Sequence, residues 1–402
     1  MTSEASPASG TTAEVFRAFL RLGLTSFGGP VAHLAYFREE FVKRRAWLDE
    51  AQFAQLLGLC QFLPGPASSQ MGFAIGMLRG GWRGALAAFA AFTFPAVLLM
   101  FGFAARAPLL GRGGGAALVH GLKLVAVVVV AHALVGMVRQ LTPDLPRALI
   151  AVAAAALVVA TGNAWLQLVA IGLGGLLGLR FCRRNVAPAG LGFSVRYGRG
   201  AALAAAAFFL AGLAAALVWP AGDAATAGAV AAAFYRSGAL VFGGGHVVLP
   251  LLQQAVVDTG WIRADTFLAG YGAAQVVPGP MFSLAAFLGA EIPMGLPAAA
   301  GAALALLALF APGFALLVAV LPVWSRLAQR PWAASAMAGI NAAVVGLLAA
   351  AFYDPVLVQG VRGGVDATIA LVGFMALTVF RVAAAWVALG CVAASLAAHW
   401  IS

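Results

Sequence analysis

Charged residues are scarce in this chain of 402 residues, at 9% of the total. Soluble domains carry roughly 25% charged residues, whereas 63% of this chain is apolar. Acidic residues are scarcer than basic ones, since the chain has 13 Asp and Glu but 24 Lys and Arg. This composition argues against a cytosolic enzyme, a nucleic-acid binder and a disordered protein. It predicts an integral membrane protein embedded in the lipid bilayer.

Cysteine is also rare, with three residues far apart in the chain. They show neither CxxC spacing nor an even count, which argues against a disulfide framework or a zinc site. The five histidines show no metal-ligand spacing. A membrane-embedded enzyme would need a nucleophile with a base, or clustered Asp and His, and the sequence offers neither. We therefore predict no enzymatic activity, no cofactor and no metal.

Long apolar runs are abundant, and a spanning helix needs about 20 apolar residues. Two further regions, 148–179 and 224–256, have room for a pair of shorter or tilted helices, while Gly and Pro interrupt the apolar stretches 15–36, 51–78 and 265–292. The pattern predicts an all-α polytopic membrane protein with broken or re-entrant helices and about 10–12 spans. The clear candidates are 84–105, 116–138, 200–219, 298–321, 333–353 and 367–398, the last with a break near Arg381.

An internal repeat organises the chain. Each copy contains a Phe-Gly-Gly cluster, a Trp, a Phe, a Gln-x-x-Pro-Gly-Pro motif and a Ser in the same order. The offset is 215 residues at the Phe-Gly-Gly cluster and 214 from the Trp onward, so a single gap aligns the copies. The first copy has Phe27–Gly29, Trp47, Phe53, Gln61–Pro66 and Ser69, and the second has Phe242–Gly244, Trp261, Phe267, Gln275–Pro280 and Ser283.

Basic residues divide unequally between the copies, with 18 in residues 1–200 and 6 in residues 201–402. Because basic loops face the cytoplasm, this asymmetry predicts inverted repeats, which a single linker span would produce. Arg106 and Arg112 then fall on the outer side, against the rule. We predict an N-terminal repeat with a basic linker over 1–199, and a linker span with the C-terminal repeat over 200–402.

Each copy carries Pro-Gly-Pro inside an apolar stretch. Two prolines in three residues break a helix, and irregular backbone at membrane depth needs shelter from protein or a water-filled cavity. A structural kink is one interpretation. Matched breaks are also typical of secondary-transporter sites, where the N–H groups at a helix start attract anions. The predicted substrate-binding residues here are Gln61, Pro64, Gly65, Pro66, Ser69, Gln275, Pro278, Gly279, Pro280 and Ser283.

The glycine clusters are a second matched break, which either presents N–H groups to a ligand or packs helices closely. Arg21 and Arg236 precede them at matched positions in apolar helices. A buried Arg costs at least about 2.5–3.5 kcal/mol and usually faces a partner or a cavity, although snorkelling to the interface is the alternative. We add both arginines to the predicted site, together with Gly28, Gly29, Gly243 and Gly244.

Lys123 is one of two lysines in the chain and aligns with the neutral Asn341. This asymmetric pair favours a role in substrate binding or proton coupling, with a helix-end anchor as the alternative. His33, His246 and Glu291 are the candidates for proton coupling, since a histidine titrates near neutral pH; for the histidines a packed or interfacial role is the alternative. Four acids are predicted as loop residues: Asp258, Asp265, Asp354 and Asp366.

The paired motifs resemble the chromate ion transporter (CHR) family in its long form with two fused homologous halves. The resemblance covers essentially the whole chain and rests on a set of motif residues in both halves. They are Phe27 to Leu34, Trp47, Gln61 to Pro66, Phe242 to Pro250, Trp261 and Gln275 to Pro280.

The resemblance implies a multi-pass carrier of the bacterial inner membrane that exports chromate and confers chromate resistance, with sulfate as the similar competitor and the proton gradient as the driving force. A carrier for sulfate or another oxyanion, or an anion channel, is the alternative. The chain has no ATP-binding P-loop, so transport would be secondary. The oligomeric state, including a homodimer, stays open.

Overall fold

The computed structural model describes residues 10–27, 29–106, 114–161, 164–182, 193, 195, 197–219, 224–242, 245–327 and 329–401. Within these ranges the chain is helical and contains no β-strand. The prediction of an all-α protein is therefore confirmed.

The first repeat contains seven helices in its described residues. They are α1 (Thr12–Thr25), α2 (Gly29–Arg38, continued by a π-helical turn Glu39–Arg44), α3 (Glu50–Phe62), α4 (Ala67–Arg106), α5 (Gly114–Leu141), α6 (Leu145–Thr161) and α7 (Ala164–Phe181). The linker helix is α8 (Arg199–Val218).

The second repeat follows the same order with more interruptions. Its helices are α9 (Ala227–Ala239), α10 (Val248–Val256), α11 (Ala264–Val276), α12 (Leu284–Glu291), α13 (Ala298–Val320), α14 (Trp324–Leu327), α15 (Pro331–Ala351), α16 (Val358–Gly360), α17 (Gly364–Thr378) and α18 (Ala384–Ile401). Short 3-10 turns precede α10, α12 and α14, and a π-helical turn, Phe352–Leu357, follows α15.

Five helical segments of the described residues are long and apolar enough to cross a membrane. They are Ala67–Arg106, Gly115–Leu141, Arg199–Val218, Ala298–Leu327 and Pro331–Gly360. Five shorter apolar helices accompany them, and region 148–179 is indeed two helices, α6 and α7. The predicted break near Arg381 is confirmed as well, because α17 ends at Thr378 and Arg381 has a φ of 54°.

The helices around the motifs are too short to span a bilayer. The longest of α1, α3, α9 and α11 has 14 residues, or about 21 Å at 1.5 Å per residue, against a hydrocarbon core of about 30 Å. Broken or re-entrant segments, as predicted, therefore surround both Pro-Gly-Pro motifs.

In each repeat the chain folds back on itself after the helical segment that follows the Pro-Gly-Pro motif. In α4 the backbone leaves helical geometry at Gly80 and Gly81, and a Cβ on Gly84 would overlap the carbonyl oxygen of Gly76. In the second repeat a Cβ on Gly301 would overlap the carbonyl oxygen of Gly289. Residues so far apart along one straight helix cannot touch, so both segments fold back as hairpins. Glycine is required there because the two backbones are in contact.

The two repeats are packed into one another. Helix α15 of the second repeat packs against α6 and α7 of the first, and α5 of the first packs against α11 and α18 of the second. At the crossing of α7 and α15, Gly174 and Gly178 meet Gly339, so that no side chain separates the backbones. Small residues allow this close approach between membrane helices.

Candidate functional site

Both Pro-Gly-Pro motifs interrupt the helices as predicted. Pro64–Pro66 separates α3 from α4 and is buried, while Pro278–Pro280 separates α11 from the turn before α12. The central glycines, Gly65 and Gly279, have φ values of 121° and 98°. An L-residue with a side chain is strained at such φ values, so the glycines set the shape of both breaks.

Each Pro-Gly-Pro break forms a backbone hydrogen bond with the other repeat, and the two bonds are matched. The N–H of Gly65 donates to the carbonyl oxygen of Val241 at 2.7 Å, and the N–H of Gly279 donates to that of Ser26 at 2.9 Å. Ser26 and Val241 directly precede the two Phe-Gly-Gly clusters and are aligned by the repeat offset of 215. Each Pro-Gly-Pro break is thus joined to the glycine break of the other repeat. The two hydrogen bonds are therefore reciprocal between the repeats.

Each Pro-Gly-Pro break also lies close to a long helix of the other repeat. A Cβ on Gly65 would lie 3.0 Å from the Cα of Gly313 in α13. A Cβ on Gly279 would lie 3.1 Å from the carbonyl oxygen of Phe92 and 3.2 Å from the Cβ of Ala96 in α4. Ala96 and Gly313 each follow a proline inside the helix, Pro95 and Pro312. The breaks therefore sit at the interface between repeats.

Buried hydroxyl groups are concentrated beside the breaks. Ser69 and Ser283 are 3% and 1% exposed, and the Oγ of each has no hydrogen-bond partner among the described residues. The same is true of the hydroxyls of Ser26 and Thr93. An unpartnered buried polar group costs about 1–3 kcal/mol, so several of them near the two breaks indicate sites for water or a polar ligand.

The predicted glutamines lie in different surroundings. Gln61 is exposed on α3, whereas Gln275 is buried and its Nε2 lies 2.9 Å from the Sδ of Met281. Sequence reasoning missed Gln70, whose Nε2 donates to the carbonyl oxygens of Pro64 and Gly313, both at 2.9 Å. The signal was its alignment with Leu284 in the second repeat, where a polar and an apolar residue share one position.

Only some residues of the glycine clusters belong to the part of the chain that the structure describes. Gly29 is the first residue of α2 with a φ of 75°, and no heavy atom lies within 4 Å of the place its Cβ would occupy. The remaining predicted positions, Gly28, Gly243 and Gly244, lie outside the described residues.

The matched arginines are not in equivalent environments. Arg21 lies on the exposed face of α1, opposite the buried Phe19 and Leu22. Arg236 is partly buried in the last turn of α9, whose neighbouring residues are largely buried. Only the second arginine therefore lies on an inward-facing part of its helix.

Lys123 is buried in α5, with 2% of its side chain exposed, and forms an ion pair with Asp265. Asp265 was expected in a loop, but it lies in the first turn of α11, where a carboxylate is favourable because of the helix dipole. Asp366 was also expected in a loop, but it lies in the first turn of α17, where its Oδ1 is 2.8 Å from the Nε2 of His120. Asn341 is buried in α15, and its Oδ1 has no partner within the described part of the chain.

The two candidate histidines contact residues on opposite sides of the Pro-Gly-Pro motifs of their own repeats. His33 is buried, and its Nδ1 lies 3.4 Å from the Oγ of Ser68, directly after the first Pro-Gly-Pro. The Nδ1 of His246 lies 2.9 Å from the Tyr271 hydroxyl in α11, before the second motif. Each histidine thus connects the segment after the glycine break to a helix beside the Pro-Gly-Pro break of its own repeat. Glu291 is half-buried at the end of α12.

Comparison with known proteins also divides the chain into two copies of one unit. The family model described as "Chromate transporter" matches residues 13–179 and again residues 228–396. The chain belongs to the chromate transporter family. Each match contains one Phe-Gly-Gly cluster and one Pro-Gly-Pro motif, while α8 lies between the matches.

Several curated proteins are similar to this chain over most of its length. The "Probable chromate transport protein" of Synechococcus elongatus is 28% identical over 369 residues, covering 89% of this chain and 87% of the relative. The "Chromate transport protein" of Pseudomonas aeruginosa is 28% identical, with 88% and 83% covered. An uncharacterized transporter of Methanocaldococcus jannaschii is 25% identical over 343 residues, covering 84% of this chain and 82% of the relative. No solved structure matches the chain significantly.

Proposed function

We propose that this chromate transporter family member is a secondary carrier that exports chromate across the bacterial inner membrane and thereby confers chromate resistance. The observation that carries the proposal is the reciprocal bonding of the two Pro-Gly-Pro breaks. It joins two helix starts and several unpartnered hydroxyls at the boundary between the repeats. Broken helices at such a boundary are typical of substrate sites in secondary transporters.

The chemistry of this place suits a divalent oxyanion. The first N–H groups of α4 and of the 281–291 segment have no intrahelical acceptor, and the helix dipole there is positive. The hydroxyls of Ser26, Ser69, Thr93 and Ser283 add donors that lack partners among the described residues. A tetrahedral oxyanion needs several donors, and in this proposal these groups supply them without an acidic residue at the breaks. We therefore retain Ser69, Ser283 and the break residues as the substrate contacts.

The same contacts suggest how the carrier changes conformation. Alternating access requires one repeat to rock against the other around a fixed site. The bonds from Gly65 to Val241 and from Gly279 to Ser26 cross that boundary, so breaking one while keeping the other opens the site to one side. His33, His246 and Glu291 lie on these segments or on the short helix that follows, and are the groups we propose for proton coupling.

The ion pair of Lys123 and Asp265 is a second candidate for the substrate step. A buried lysine held by a carboxylate becomes available to a dianion if the pair separates. Asp265 is 44% exposed in its side chain, so the carboxylate can be hydrated when it leaves. Asn341, at the aligned position of the other repeat, would contribute an amide in place of a charge.

Transport in inside-out membrane vesicles tests this function. Radiolabelled chromate should accumulate in vesicles that contain the protein, faster with a proton gradient, and unlabelled chromate should compete better than sulfate. If sulfate competes more strongly, the alternative of a sulfate or general oxyanion carrier replaces chromate. No uptake of any tetrahedral oxyanion would contradict the proposal.

Counterflow in proteoliposomes separates a carrier from an anion channel. A carrier loaded with unlabelled chromate should accumulate labelled chromate transiently, because one site alternates between the two sides. A channel would only equilibrate the label. The second result would leave the anion site in place and overturn alternating access.

A further inference from the structure

A polar cavity of about 490 Å³ is formed by residues other than those at the breaks. Its walls come from the end of α6, the start of α7, the end of α10, and the end of α15 with the π-helical turn after it. The polar groups that matter are Gln167, Gln253, Gln254, Asp258 and Asp354. Among the described residues that line it, none is basic.

The amide groups of this cavity are buried without partners. Gln167 is 8% exposed, and its Oε1 has no hydrogen-bond partner among the described residues. The Oε1 of Gln253 and the Nε2 of Gln254 are in the same condition. Buried polar atoms are almost always paired, so these amides indicate a ligand or ordered water. Two of the three unpaired atoms are oxygens, which accept a donor or coordinate a cation.

Two carboxylates face the same space. Asp258 lies in the loop between α10 and α11, and Asp354 lies in the π-helical turn after α15. Both residues are exposed at the cavity, and the described residues that line it include no basic side chain to balance their charges. Like charges that approach each other without a basic partner are relieved by a proton or by a bound cation.

The first repeat does not share the charge of this lining. In the first repeat the corresponding segment, 38–45, holds Arg38, Lys43, Arg44 and Arg45, whereas residues 253–260 contain no basic residue. The cavity also lies far from the basic linker. Gln167 is in the first turn of α7 and Arg180 is in its last, so most of a helix about 27 Å long separates them.

We propose that this cavity binds a divalent cation of the calcium and magnesium class. The carboxylates of Asp258 and Asp354 and the amide oxygens of Gln167 and Gln253 are the ligands. Oxygen ligands without thiolate or imidazole favour hard cations, and two carboxylates balance a divalent charge. Calcium should bind better than magnesium, because it accepts amide oxygens in irregular geometry whereas magnesium requires a near-ideal octahedron.

Equilibrium dialysis of the purified full-length protein in detergent, with radiolabelled calcium after chelator treatment, tests the site. We expect one calcium per chain, displaced by unlabelled magnesium only at higher concentration and not by sodium. Asp258→Asn and Asp354→Asn should each weaken binding at least tenfold, as should Gln167→Leu, by analogy with the roughly 10–100-fold losses seen even for supporting groups of metal sites. Asp49→Asn is the matched control, because Asp49 caps α3 elsewhere and Asn caps a helix equally well.

Thermal unfolding supplies a second readout that does not depend on transport. Calcium should raise the unfolding midpoint of the parent protein and of Asp49→Asn, and should raise that of Asp258→Asn by much less, because stabilisation falls as the dissociation constant rises. The midpoints measured in chelator show whether each variant is folded. No calcium binding by the parent protein, displacement by sodium, or equal binding by Asp258→Asn and the parent would overturn the proposal, whatever the outcome for anion transport.

Discussion

At the first Pro-Gly-Pro break, the side chain of Gln70 donates to the carbonyl oxygens of Pro64 and Gly313 and ties the break to α13 of the other repeat. At the second break, the aligned residue is Leu284, which has no donor, and the nearby Gln275 amide approaches Met281 within its own repeat. The backbone bonds between repeats, by contrast, are matched. We infer that backbone symmetry builds the site, while the side chains make the first break the more rigid one.

This difference has a consequence for transport. Rocking of the repeats has to loosen contacts at one break while those at the other persist. Because side-chain hydrogen bonds hold the first break to both repeats, we expect the second break to move more. Substitutions that remove the side-chain contacts of the first break, or add such contacts to the second, therefore distinguish the roles of the two breaks.

The largest expected effect follows from Gly65→Ala and Gly279→Ala. Each adds about 1–3 kcal/mol of backbone strain and brings a Cβ to 3.0 Å from Gly313 or 3.1 Å from the Phe92 carbonyl oxygen. Chromate uptake in vesicles should be lost in both. Gly260→Ala is the control, because Gly260 has a φ of 74° and open space around it; uptake lost equally there would point to backbone strain alone.

Removing one member of the Lys123–Asp265 pair should have the next largest effect. Asp265→Asn leaves the buried Lys123 without its carboxylate, and breaking a buried pair costs up to about 3–5 kcal/mol, less here because Asp265 is partly exposed. The amount of folded protein in the membrane should fall. The double variant Lys123→Asn with Asp265→Asn removes both charges and places at position 123 the residue found at the aligned Asn341. It should recover that amount.

Chromate uptake by this double variant then tests the function of Lys123. We expect normal amounts of protein and little uptake. Uptake equal to that of the parent protein would show that the pair serves stability and that no charge from Lys123 is needed by the substrate.

A moderate effect is expected from Gln70→Leu, which makes the first break resemble the second. Two buried carbonyl oxygens lose a donor, at about 1–3 kcal/mol for each group left unpaired, so the thermal unfolding midpoint should fall while transport persists. Leu284→Gln places a buried amide at the second break and should slow transport if it clamps that break. Faster transport in Leu284→Gln than in the parent would contradict the inferred difference in rigidity.

The smallest effect separates the two arginines. Arg21→Gln changes an exposed side chain, whereas Arg236→Gln changes a partly buried one on an inward-facing turn. Uptake should fall several-fold in Arg236→Gln and change little in Arg21→Gln, with protein amounts measured by immunoblot. Equal losses in both would restore a symmetric role for the pair.

The sequence predicted the features that depend on local chemistry. Pro64–Pro66 and Pro278–Pro280 break helices wherever they occur, and the pair α6 and α7 follows from the length of an apolar region. The exposed face of Arg21 could not be predicted, because the lipid-facing and core-facing sides of a membrane helix are both apolar. The contacts of Gln70 with Gly313 and of Lys123 with Asp265 join residues 243 and 142 positions apart, and periodicity carries no information on such distant contacts.

Chromate binding to the purified protein tests most directly whether the two breaks form one anion site. A hydrogen bond to a charged group contributes about 1.5–3 kcal/mol, so the double variant Ser69→Ala with Ser283→Ala should weaken binding at least about 100-fold. Ser395→Ala is the matched control, since Ser395 is a buried serine that donates to Ala117 in another part of the molecule. Parent-like affinity in the double variant would contradict an anion site at the paired breaks.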